Sequence, residues 1–308
     1  MTKVFIDGSA GTTGLRIADR LALRQDITIL QLPDELRKDL AARKDAINSS
    51  DIVFLCLPDA AAIEAAALAE NSKVKIIDTS TAHRTNPNWV YGFPELTGQR
   101  ERIQNSNRIA NPGCHASGFI ALVAPLVQAG LVRHDAALTC FSLTGYSGGG
   151  KKMIAEYEAD SRNPLLKAPR QYALSQQHKH LKEMAAICSL EQFPVFCPIV
   201  GDFFSGMEAT VPLFSKDLRG SMEDVQELYR SYYKTGLVFP DGSTDDDGML
   251  SAAAYSGRDD MQISVLGNRE RILLTARFDN LGKGASGAAI QNMNILMGLE
   301  ENTGLSLK

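Results

Sequence analysis

The sequence is poor in the features that mark disulfide-rich, membrane-spanning and nucleic-acid-binding proteins. Its five Cys residues are an odd number without a Cys-x-x-Cys pair, so we expect reduced thiols rather than disulfides. No stretch approaches the ~18 consecutive apolar residues of a membrane helix, and the first residues lack the basic and apolar segments of a signal peptide. Acidic residues outnumber basic ones by 36 to 32, which argues against nucleic-acid binding. These absences predict a cytoplasmic protein that binds neither membranes nor nucleic acids.

What the sequence does contain, over its first third, is an alternation of short apolar runs with helix-like stretches. The predicted strands are KVFID, ITILQL, DIVFLCLP and VKIID, and the clearest predicted helices are TGLRIADRLAL and AAAIEAAALAE. Elements in this order are typical of βαβ units with a parallel sheet. Because the apolar runs do not alternate with polar residues, both faces of this sheet should be covered.

The pattern changes after Asn111. Longer and more alternating strands follow, such as LTCFSLTG, EATVPLF and RILLTARFD, with the helix-like SMEDVQELYRSYYKTG among them. They predict a second domain of the α+β class on a mixed or antiparallel sheet. The last periodic segment, GAAIQNMNILMGLE, predicts an amphipathic helix able to pack back on the first domain.

A glycine-rich turn follows the first predicted strand and opens the first predicted helix. Its G-x-x-G-x-x-G spacing lets a pyrophosphate approach bare backbone at a helix N-terminus. Because βαβ units follow, this setting favours a dinucleotide site over a plain connecting turn. The predicted cofactor-binding residues of the turn are Gly8, Ser9, Gly11, Thr12, Thr13 and Gly14.

The residues after the second predicted strand leave the choice of cofactor open. Asp34 and Glu35 could hold the ribose 2′-hydroxyl of NAD, whereas Arg37 and Lys38 could accept the 2′-phosphate of NADP. We favour NADP and take Arg37 and Lys38 as its ligands.

Cys114 has the sequence setting of a nucleophile. The segment Asn111-Pro112-Gly113 predicts a turn directly before the helix-like run FIALVAPLVQAG, which places Cys114 at or near the first helical residue. The N–H groups and dipole at a helix start favour a thiolate. The other four cysteines lie in apolar strands and helices, where a thiol is usually an inert small hydrophobe.

Two histidines are candidates for acid–base work near that thiol. In SQQHKHLKEM, His178 and His180 are two residues apart, so on a helix they face different ways and at most one should meet Cys114. The spacing alone favours a solvated basic turn, and no further His or Cys cluster supplies the ligands of a metal site. We expect His115 to face away from the thiol, and His83 and His134 to be structural.

Two further segments are candidates for holding anions. Ser147–Lys152 follows a strand, so Gly148, Gly149 and Lys151 could bind a phosphate or the nicotinamide side of a cofactor, with a flexible loop as the alternative. Arg84 follows a strand end of the first domain and could clamp the substrate phosphate, with a surface arginine as the alternative.

A dinucleotide that exchanges hydride and a thiolate that holds an acyl group together predict oxidoreduction between an aldehyde and an acyl group. Two rivals stay open: a related reductase acting on another amino-acid semialdehyde, such as the aspartate-semialdehyde type, and a non-catalytic NADP-binding sensor.

In several segments along nearly its whole length, the sequence resembles the N-acetyl-gamma-glutamyl-phosphate reductase family of arginine biosynthesis, in its shorter form. The matching segments are GSAGTTG, DTSTAHR, YGFPEL, NPGC, TGYSGGGK, HKH, KGASG and QNMN. The resemblance implies NADPH-dependent reduction of N-acetyl-gamma-glutamyl phosphate to N-acetyl-L-glutamate 5-semialdehyde, with phosphate released and a thioester on Cys114. It also implies that the His178 and His180 pair supplies the acid–base residue, which we place on His180, and that Asn292 of QNMN contributes to the cofactor site.

Two departures from the long form of the family are visible. Ala82-His83-Arg84 stands where that form has Asp-Phe-Arg, and HKHLKE stands where it has HRHxPE, with Lys182 in place of Pro. The first departure affects the expected phosphate pocket and the second the placement of the base.

The sequence therefore predicts a two-domain α/β enzyme. Residues 1–111 plus about 285–308 form a Rossmann-type NADP-binding domain with a parallel sheet. Residues 112–284 form an α+β domain for catalysis and oligomerisation, which we expect to assemble as a homodimer or homotetramer.

Overall fold

The computed structural model describes residues 1–234, 236–245 and 248–307. Its internal contacts divide the chain into two compact units. Unit 1 comprises Met1–Pro112 and Ala285–Leu305, and unit 2 comprises Gly113–Gly284 together with the last residues of the chain. None of the helices in these described ranges is long and apolar enough to span a membrane.

Unit 1 is built on a six-stranded sheet in the order β2-β1-β3-β4-β6-β5, and every pair of neighbours is parallel. Its strands are β1 (Thr2–Asp7), β2 (Ile27–Leu30), β3 (Ile52–Leu55), β4 (Lys75–Asp78), β5 (Val90–Tyr91) and β6 (Arg108–Ala110). Its helices are α1 (Thr12–Leu21), α2 (Leu40–Asn48), α3 (Asp59–Ala67), α4 (Gln99–Gln104) and α9 (Gly287–Leu296). The predicted parallel βαβ arrangement is confirmed.

Successive residues of β1 enter two different cores, one on each face of this sheet. Val4 and Ile6 pack in a cluster with Ile17 of α1, whereas Phe5 packs in a second cluster with Ile47 of α2. In a strand buried on both sides, neither set of alternating side chains faces solvent, which explains why these sequences are continuously apolar.

Helix α9 packs in unit 1, as its sequence suggested, although it is not amphipathic. All ten of its residues are buried, and Ile290 and Met293 lie in the same core cluster as α1. Its polar residues are buried because they have partners: the Gln291 amide donates to Glu95 and Glu301 at 2.9 Å each. The polar positions that suggested a solvated face are internal hydrogen-bonding groups.

Unit 2 is built on a seven-stranded mixed sheet in the order β11-β12-β13-β10-β7-β9-β8. Its strands are β7 (Thr139–Gly145), β8 (Arg170–Gln171), β9 (Val195–Gly201), β10 (Met207–Phe214), β11 (Val238–Pro240), β12 (Met261–Gly267) and β13 (Arg271–Phe278). Its helices are α5 (Cys114–Gln128), α6 (Gly150–Glu158), α7 (His180–Cys188) and α8 (Met222–Tyr232). Two pairs are parallel, β7 with β9 and β11 with β12, and the other pairs are antiparallel, as an α+β domain predicts.

Helix α5 is the internal helix of unit 2. Its residues from His115 to Val127 are all buried, and it packs against α7, α8, β10 and β13. The packing is close: a Cβ on Gly118 would lie 2.8 Å from the Ala209 side chain and 2.9 Å from that of Phe278. The first residue of this helix is therefore held by a rigid element.

The burial of α9 leads to a stability prediction. Met293→Ala should lower the free energy of unfolding by about 2–5 kcal/mol, because it leaves a cavity in the core of unit 1. Met297→Ala, at the half-buried C-cap of the same helix, should cost clearly less. Urea unfolding followed by circular dichroism would measure both, and equal losses would contradict the packing described for α9.

Candidate active site

Cys114 is the first residue of α5, where the Pro-Gly turn predicted it. The N-cap is Gly113, whose extended backbone (φ −83°, ψ 145°) presents no capping side chain to the first turn. The Gly113 carbonyl accepts the Ser117 N–H at 2.8 Å. Cys114 is half-buried, so a small molecule can reach its sulfur, and the positive end of the helix dipole favours its thiolate.

A carboxylate from α7 holds the turn before this thiol. Glu183 is buried, and its Oε1 accepts the Gly113 N–H at 2.8 Å. The bond ties the residue before Cys114 to the helix that begins at His180. Sequence reasoning missed Glu183, although its place in the HKHLKE segment was a signal.

The two candidate histidines lie in one cluster. His178 precedes α7 and His180 is its first residue, and their ring centroids are 4.9 Å apart. Both rings lie beside His115, at 5.8 and 5.6 Å. The expected solvated turn is wrong because His180 is buried, and the expected opposite faces are wrong because His178 lies outside the helix.

His178 is a neutral imidazole at working pH. Burial, assisted by the neighbouring Lys179 charge, lowers the pKa of His178 to about 4. Its Nδ1 accepts the backbone N–H of His180 at 3.3 Å, so the ring proton resides on Nε2. His178 can therefore donate a hydrogen bond from Nε2 near neutral pH.

His115 belongs to the same cluster of rings as His178 and His180. Its Nδ1 lies 2.7 Å from the Ser142 hydroxyl, and its Nε2 lies 2.7 Å from the Tyr172 hydroxyl. Burial lowers the pKa of His115 to about 3, assisted by the charge of Lys179 and by that of His178, which is protonated only in the same acidic range. No local sequence signal links Ser142 or Tyr172 to this ring, since they come from distant strands.

The KGASG segment reaches Cys114 through its backbone. A Cβ on Gly284 would lie 2.9 Å from the Cys114 Cβ, so a side chain there would displace the thiol-bearing residue. The preceding Lys283 is buried, with 2% of its surface exposed. Close approach explains the glycine in this segment.

The glycine-lysine segment of unit 2 is a single helical turn leading into a helix, which overturns the flexible-loop alternative. Tyr146–Gly149 forms a 3₁₀ turn, and Asn280 donates to the buried Ser147 hydroxyl at 3.0 Å. Helix α6 follows, and Lys151 in its first turn is exposed.

In unit 1 the predicted dinucleotide turn adopts a conformation that requires glycine. Gly8 has φ +89°, and a Cβ there would collide with the Cys56 carbonyl oxygen. A Cβ on Gly14 would lie 2.5 Å from the Gly8 carbonyl oxygen. Helix α1 begins at Thr12 after the Gly11 N-cap, and its first turn contains no acidic residue that would compete with an anion for the N–H groups. Of the other predicted cofactor-binding residues, Ser9 lies in the turn before α1, and Thr13 is the second residue of the helix.

The charged residues after β2 are at the surface. Asp34–Leu36 forms a 3₁₀ turn, and Arg37 Nη2 lies 2.7 Å from Asp34 Oδ1, with both side chains well exposed. An exposed ion pair exchanges readily, so Arg37 can turn to another anion. Lys38 is exposed beside it.

Arg84 and Asn292 are internal to unit 1. Arg84 is buried, and its guanidinium donates to the carbonyls of Asn111 at 2.9 Å and Thr79 at 3.0 Å, so the surface-arginine alternative is wrong. Asn292 is fully buried and donates to the Gly92 carbonyl at 2.9 Å and Asn111 Oδ1 at 3.2 Å. Their contacts with a phosphate and a cofactor stay predictions.

The remaining cysteines are not disulfide-bonded. Burial raises the pKa of Cys56 to about 12 and also raises the pKa of Cys140 and of Cys188 well above the ordinary value of a thiol. Buried thiols of this kind are poor nucleophiles. Across the described residues, no group of His, Cys, Asp and Glu is arranged to hold a metal ion.

Two family models match the chain. The NAD-binding domain of semialdehyde dehydrogenases matches residues 9–106, and their dimerisation domain matches residues 114–280.

Curated relatives match nearly the whole length. N-acetyl-gamma-glutamyl-phosphate reductase 2 of a Nostoc species is 45% identical, over 98% of this chain and 99% of the relative. N-acetyl-gamma-glutamyl-phosphate reductase of Rhizobium meliloti is 43% identical, over 96% and 98%.

Solved structures show the same fold at low identity. Aspartate semialdehyde dehydrogenase II of Vibrio cholerae, complexed with ASA, superposes with a TM-score of 0.71 at 16% identity, over 97% of this chain and 98% of the other. Aspartate semialdehyde dehydrogenase of Francisella tularensis gives 0.72 at 17% identity, over 96% and 100%.

The lowered pKa of His115 predicts a stability change with pH. Between its ordinary value of 6.5 and about 3, the unfolded chain binds a proton that the folded chain excludes. The free energy of unfolding should therefore decrease as the pH falls through this window, by up to about 1.4 kcal/mol per pH unit from this residue. His115→Asn should flatten the dependence between pH 6.5 and 4 in urea unfolding. Equal slopes for parent and variant would contradict a buried, neutral His115.

Proposed function

Because the chain belongs to the N-acetyl-gamma-glutamyl-phosphate reductase family, we propose that it reduces N-acetyl-gamma-glutamyl phosphate to N-acetyl-L-glutamate 5-semialdehyde with NADPH, releasing phosphate, in arginine biosynthesis. The observation that carries the proposal is the half-buried Cys114 at the start of α5, beside a cluster of largely buried histidines. The substrate is inferred from the relatives, and the type of chemistry is inferred from the site.

The residues of unit 1 fit a dinucleotide. The turn from Gly8 to Gly14 packs so closely on its own backbone and on Cys56 that neither end admits a Cβ, and it leads into the N-terminus of α1, which has no carboxylate in its first turn. Arg37 and Lys38 would hold the 2′-phosphate that distinguishes NADP from NAD.

Cys114 is the nucleophile of the proposed reaction. Its thiolate attacks the acyl carbon, the bond from that carbon to the phosphate oxygen breaks, and phosphate leaves with the bonding electrons. The product is a thioester on Cys114. When bound, NADPH supplies the hydride that reduces this thioester. The carbon–sulfur bond then breaks, which frees the aldehyde and restores the thiolate.

The acid–base role falls to His180 rather than His178. His178 Nδ1 already accepts the His180 N–H, so His178 acts as a hydrogen-bond donor through Nε2. His180 is the buried first residue of α7 and matches the family's acid–base residue. His180 takes the thiol proton and His178 orients the substrate.

Lys151 is the better candidate for the substrate phosphate. It is exposed in the first turn of α6, next to Gly148 and Gly149, where N–H groups and an ammonium can meet an anion. Arg84 donates to two backbone carbonyls of unit 1, which favours a supporting role at Asn111.

The proposal includes assembly of the protein as a homo-oligomer, either a dimer or a tetramer. The strands of unit 2 expose apolar side chains on one face of the sheet, which a second copy would cover. They are Phe141, Val195, Phe214 and Leu273. The match to a dimerisation domain supports this assembly.

We also propose a cytoplasmic location, which is supported by the five cysteines, all of them free thiols outside disulfides.

The reaction is tested in reverse, because acyl phosphates are labile. The purified protein is given N-acetylglutamate semialdehyde, NADP and phosphate, and the absorbance of reduced nicotinamide is followed. We expect turnover that requires phosphate, with little on aspartate semialdehyde. Turnover on aspartate semialdehyde alone would support the related reductase, and cofactor binding without turnover would support the sensor.

Cys114→Ser should lower this turnover by at least about 10³-fold, because an alcohol is a far weaker nucleophile than a thiolate. NADP affinity should stay within about twofold, since the thiol contacts the acyl carbon and not the phosphates. The matched control is Cys197→Ser, which makes the same atomic change at a half-buried strand position. Comparable activity in the Cys114 variant would refute covalent catalysis.

Arg37→Ala should weaken NADP by about tenfold or more and leave NAD nearly unchanged, because it removes a charge-assisted bond to the 2′-phosphate. Asp34→Ala, which removes the partner of Arg37, should not weaken NADP. Fluorescence titration with both cofactors measures these affinities. An equal loss for NAD and NADP in the Arg37 variant would show that Arg37 does not bind the 2′-phosphate.

A further inference from the structure

A chain of three polar side chains leads from the core of unit 2 to the neighbourhood of Cys114. Ser142 of β7 lies 2.7 Å from His115 Nδ1, and His115 Nε2 lies 2.7 Å from the hydroxyl of Tyr172, directly after β8. Ser142 is completely buried, His115 is 3% exposed, and Tyr172 is half-buried. The chain therefore begins in the interior and ends at the edge of the site.

Burial fixes the direction of the first bond. Among the described residues, His115 Nδ1 is the one hydrogen-bond partner of the Ser142 hydroxyl. An unsatisfied buried donor costs more free energy than an unused lone pair on an acceptor. The Ser142 O–H therefore donates to His115 Nδ1, which must be unprotonated.

The protonation state of His115 fixes the second bond. Its pKa, held near 3 by burial, keeps the ring neutral above about pH 4, so a ring with an unprotonated Nδ1 carries its proton on Nε2. Nε2–H then donates to the Tyr172 oxygen. The phenol proton of Tyr172 is consequently directed away from His115 and is available to another acceptor.

Tyr172 lies close enough to Cys114 to sense its charge. The Cys114 thiolate adds to burial in raising the pKa of the Tyr172 phenol above its ordinary value, which keeps the phenol protonated. The Tyr172 hydroxyl makes its hydrogen bond to His115 and none to the sulfur, within the part of the chain that the structure describes. An acceptor for its proton would thus be an atom attached to the sulfur rather than the sulfur itself.

We propose that Tyr172 is a catalytic hydrogen-bond donor to the acyl oxygen of a substrate bound to Cys114, and that Ser142 and His115 are positioning residues that orient its O–H bond. The inference rests on the proposed function. When the thiolate adds to the acyl carbon, the carbonyl oxygen gains negative charge, and the Tyr172 O–H stabilises it without transferring the proton. The charge returns to the carbon–oxygen double bond when phosphate leaves.

The first variant is Tyr172→Phe, which removes the hydroxyl and keeps the ring. We expect kcat to fall by about 10²–10³-fold, the usual loss on removing one donor to such an oxygen. The rate of Cys114 alkylation by iodoacetamide, and its pH profile, should not change, because the donor acts on the substrate. Tyr232→Phe is the matched control: it removes a hydroxyl bonded to Gln128 in the same unit and should leave kcat as in the parent.

The second variant tests the orienting chain. Ser142→Ala removes the donor to His115 Nδ1, so the ring can move its proton and the Tyr172 O–H can turn inwards; we expect kcat to fall roughly tenfold. In the double variant Ser142→Ala/Tyr172→Phe, kcat should stay within about twofold of that of Tyr172→Phe, because Ser142 acts only through the hydroxyl. If the loss of kcat in the double variant equals the product of the losses in the two single variants, the orienting role of Ser142 is refuted.

Two results separate this inference from the proposed function. A parent protein without phosphate-dependent turnover would refute the proposed function and, with it, the role of Tyr172. Parent turnover with kcat of Tyr172→Phe within twofold of the parent would refute the role of Tyr172 alone. A shift in the alkylation profile of Tyr172→Phe would show that Tyr172 acts on the thiolate, which would also overturn the proposal.

Discussion

The hydrogen bond between the Gly113 N–H and the buried Glu183 carboxylate connects the two elements on which the site depends. It joins the turn before α5 to the first part of α7, so the thiol and the histidines share one frame. Since α5 is buried over nearly its whole length, that frame cannot tilt without opening the core of unit 2. The position of Cys114 therefore follows from packing rather than from a flexible loop.

Two rings of the histidine cluster, those of His115 and His178, stay uncharged near Cys114. Burial holds His115 and His178 neutral, with pKa values of about 3 and 4. Neutral rings act as directional donors and acceptors, whereas two imidazolium ions this close would repel each other. The roles proposed for these two rings thus depend on which ring nitrogen holds the proton.

Local patterns in the sequence predicted the features that depend on interactions between neighbouring residues. The Pro-Gly turn before an apolar run placed Cys114 at a helix start, and the glycine spacing after β1 predicted a turn that only Gly8 and Gly14 allow. Continuous apolar strands predicted a sheet covered on both faces, as the packing of Val4 and Phe5 on opposite faces shows. Each of these signals lies within a few neighbouring residues.

What the sequence did not predict depends on contacts between distant elements. Tyr172 meets His115 across 57 positions of the chain, and no periodicity links them. Arg84 was predicted to clamp a phosphate, with a surface position as the alternative, whereas its buried guanidinium donates to the backbone carbonyls of Asn111 and Thr79, which only the folded sheet brings together. Helix α9 looked amphipathic because the partners of its amides, such as Glu95, lie almost two hundred residues earlier.

The placement of α9 also sets the order in which the chain can become native on the ribosome. Unit 2 up to Gly284 is one continuous stretch, whereas the core of unit 1 is incomplete until Ile290 and Met293 have been synthesised. The amino-terminal sheet thus emerges first and matures last, with an apolar face uncovered while unit 2 is made. An apolar face left uncovered during synthesis is prone to aggregation, and chaperones protect surfaces of this kind.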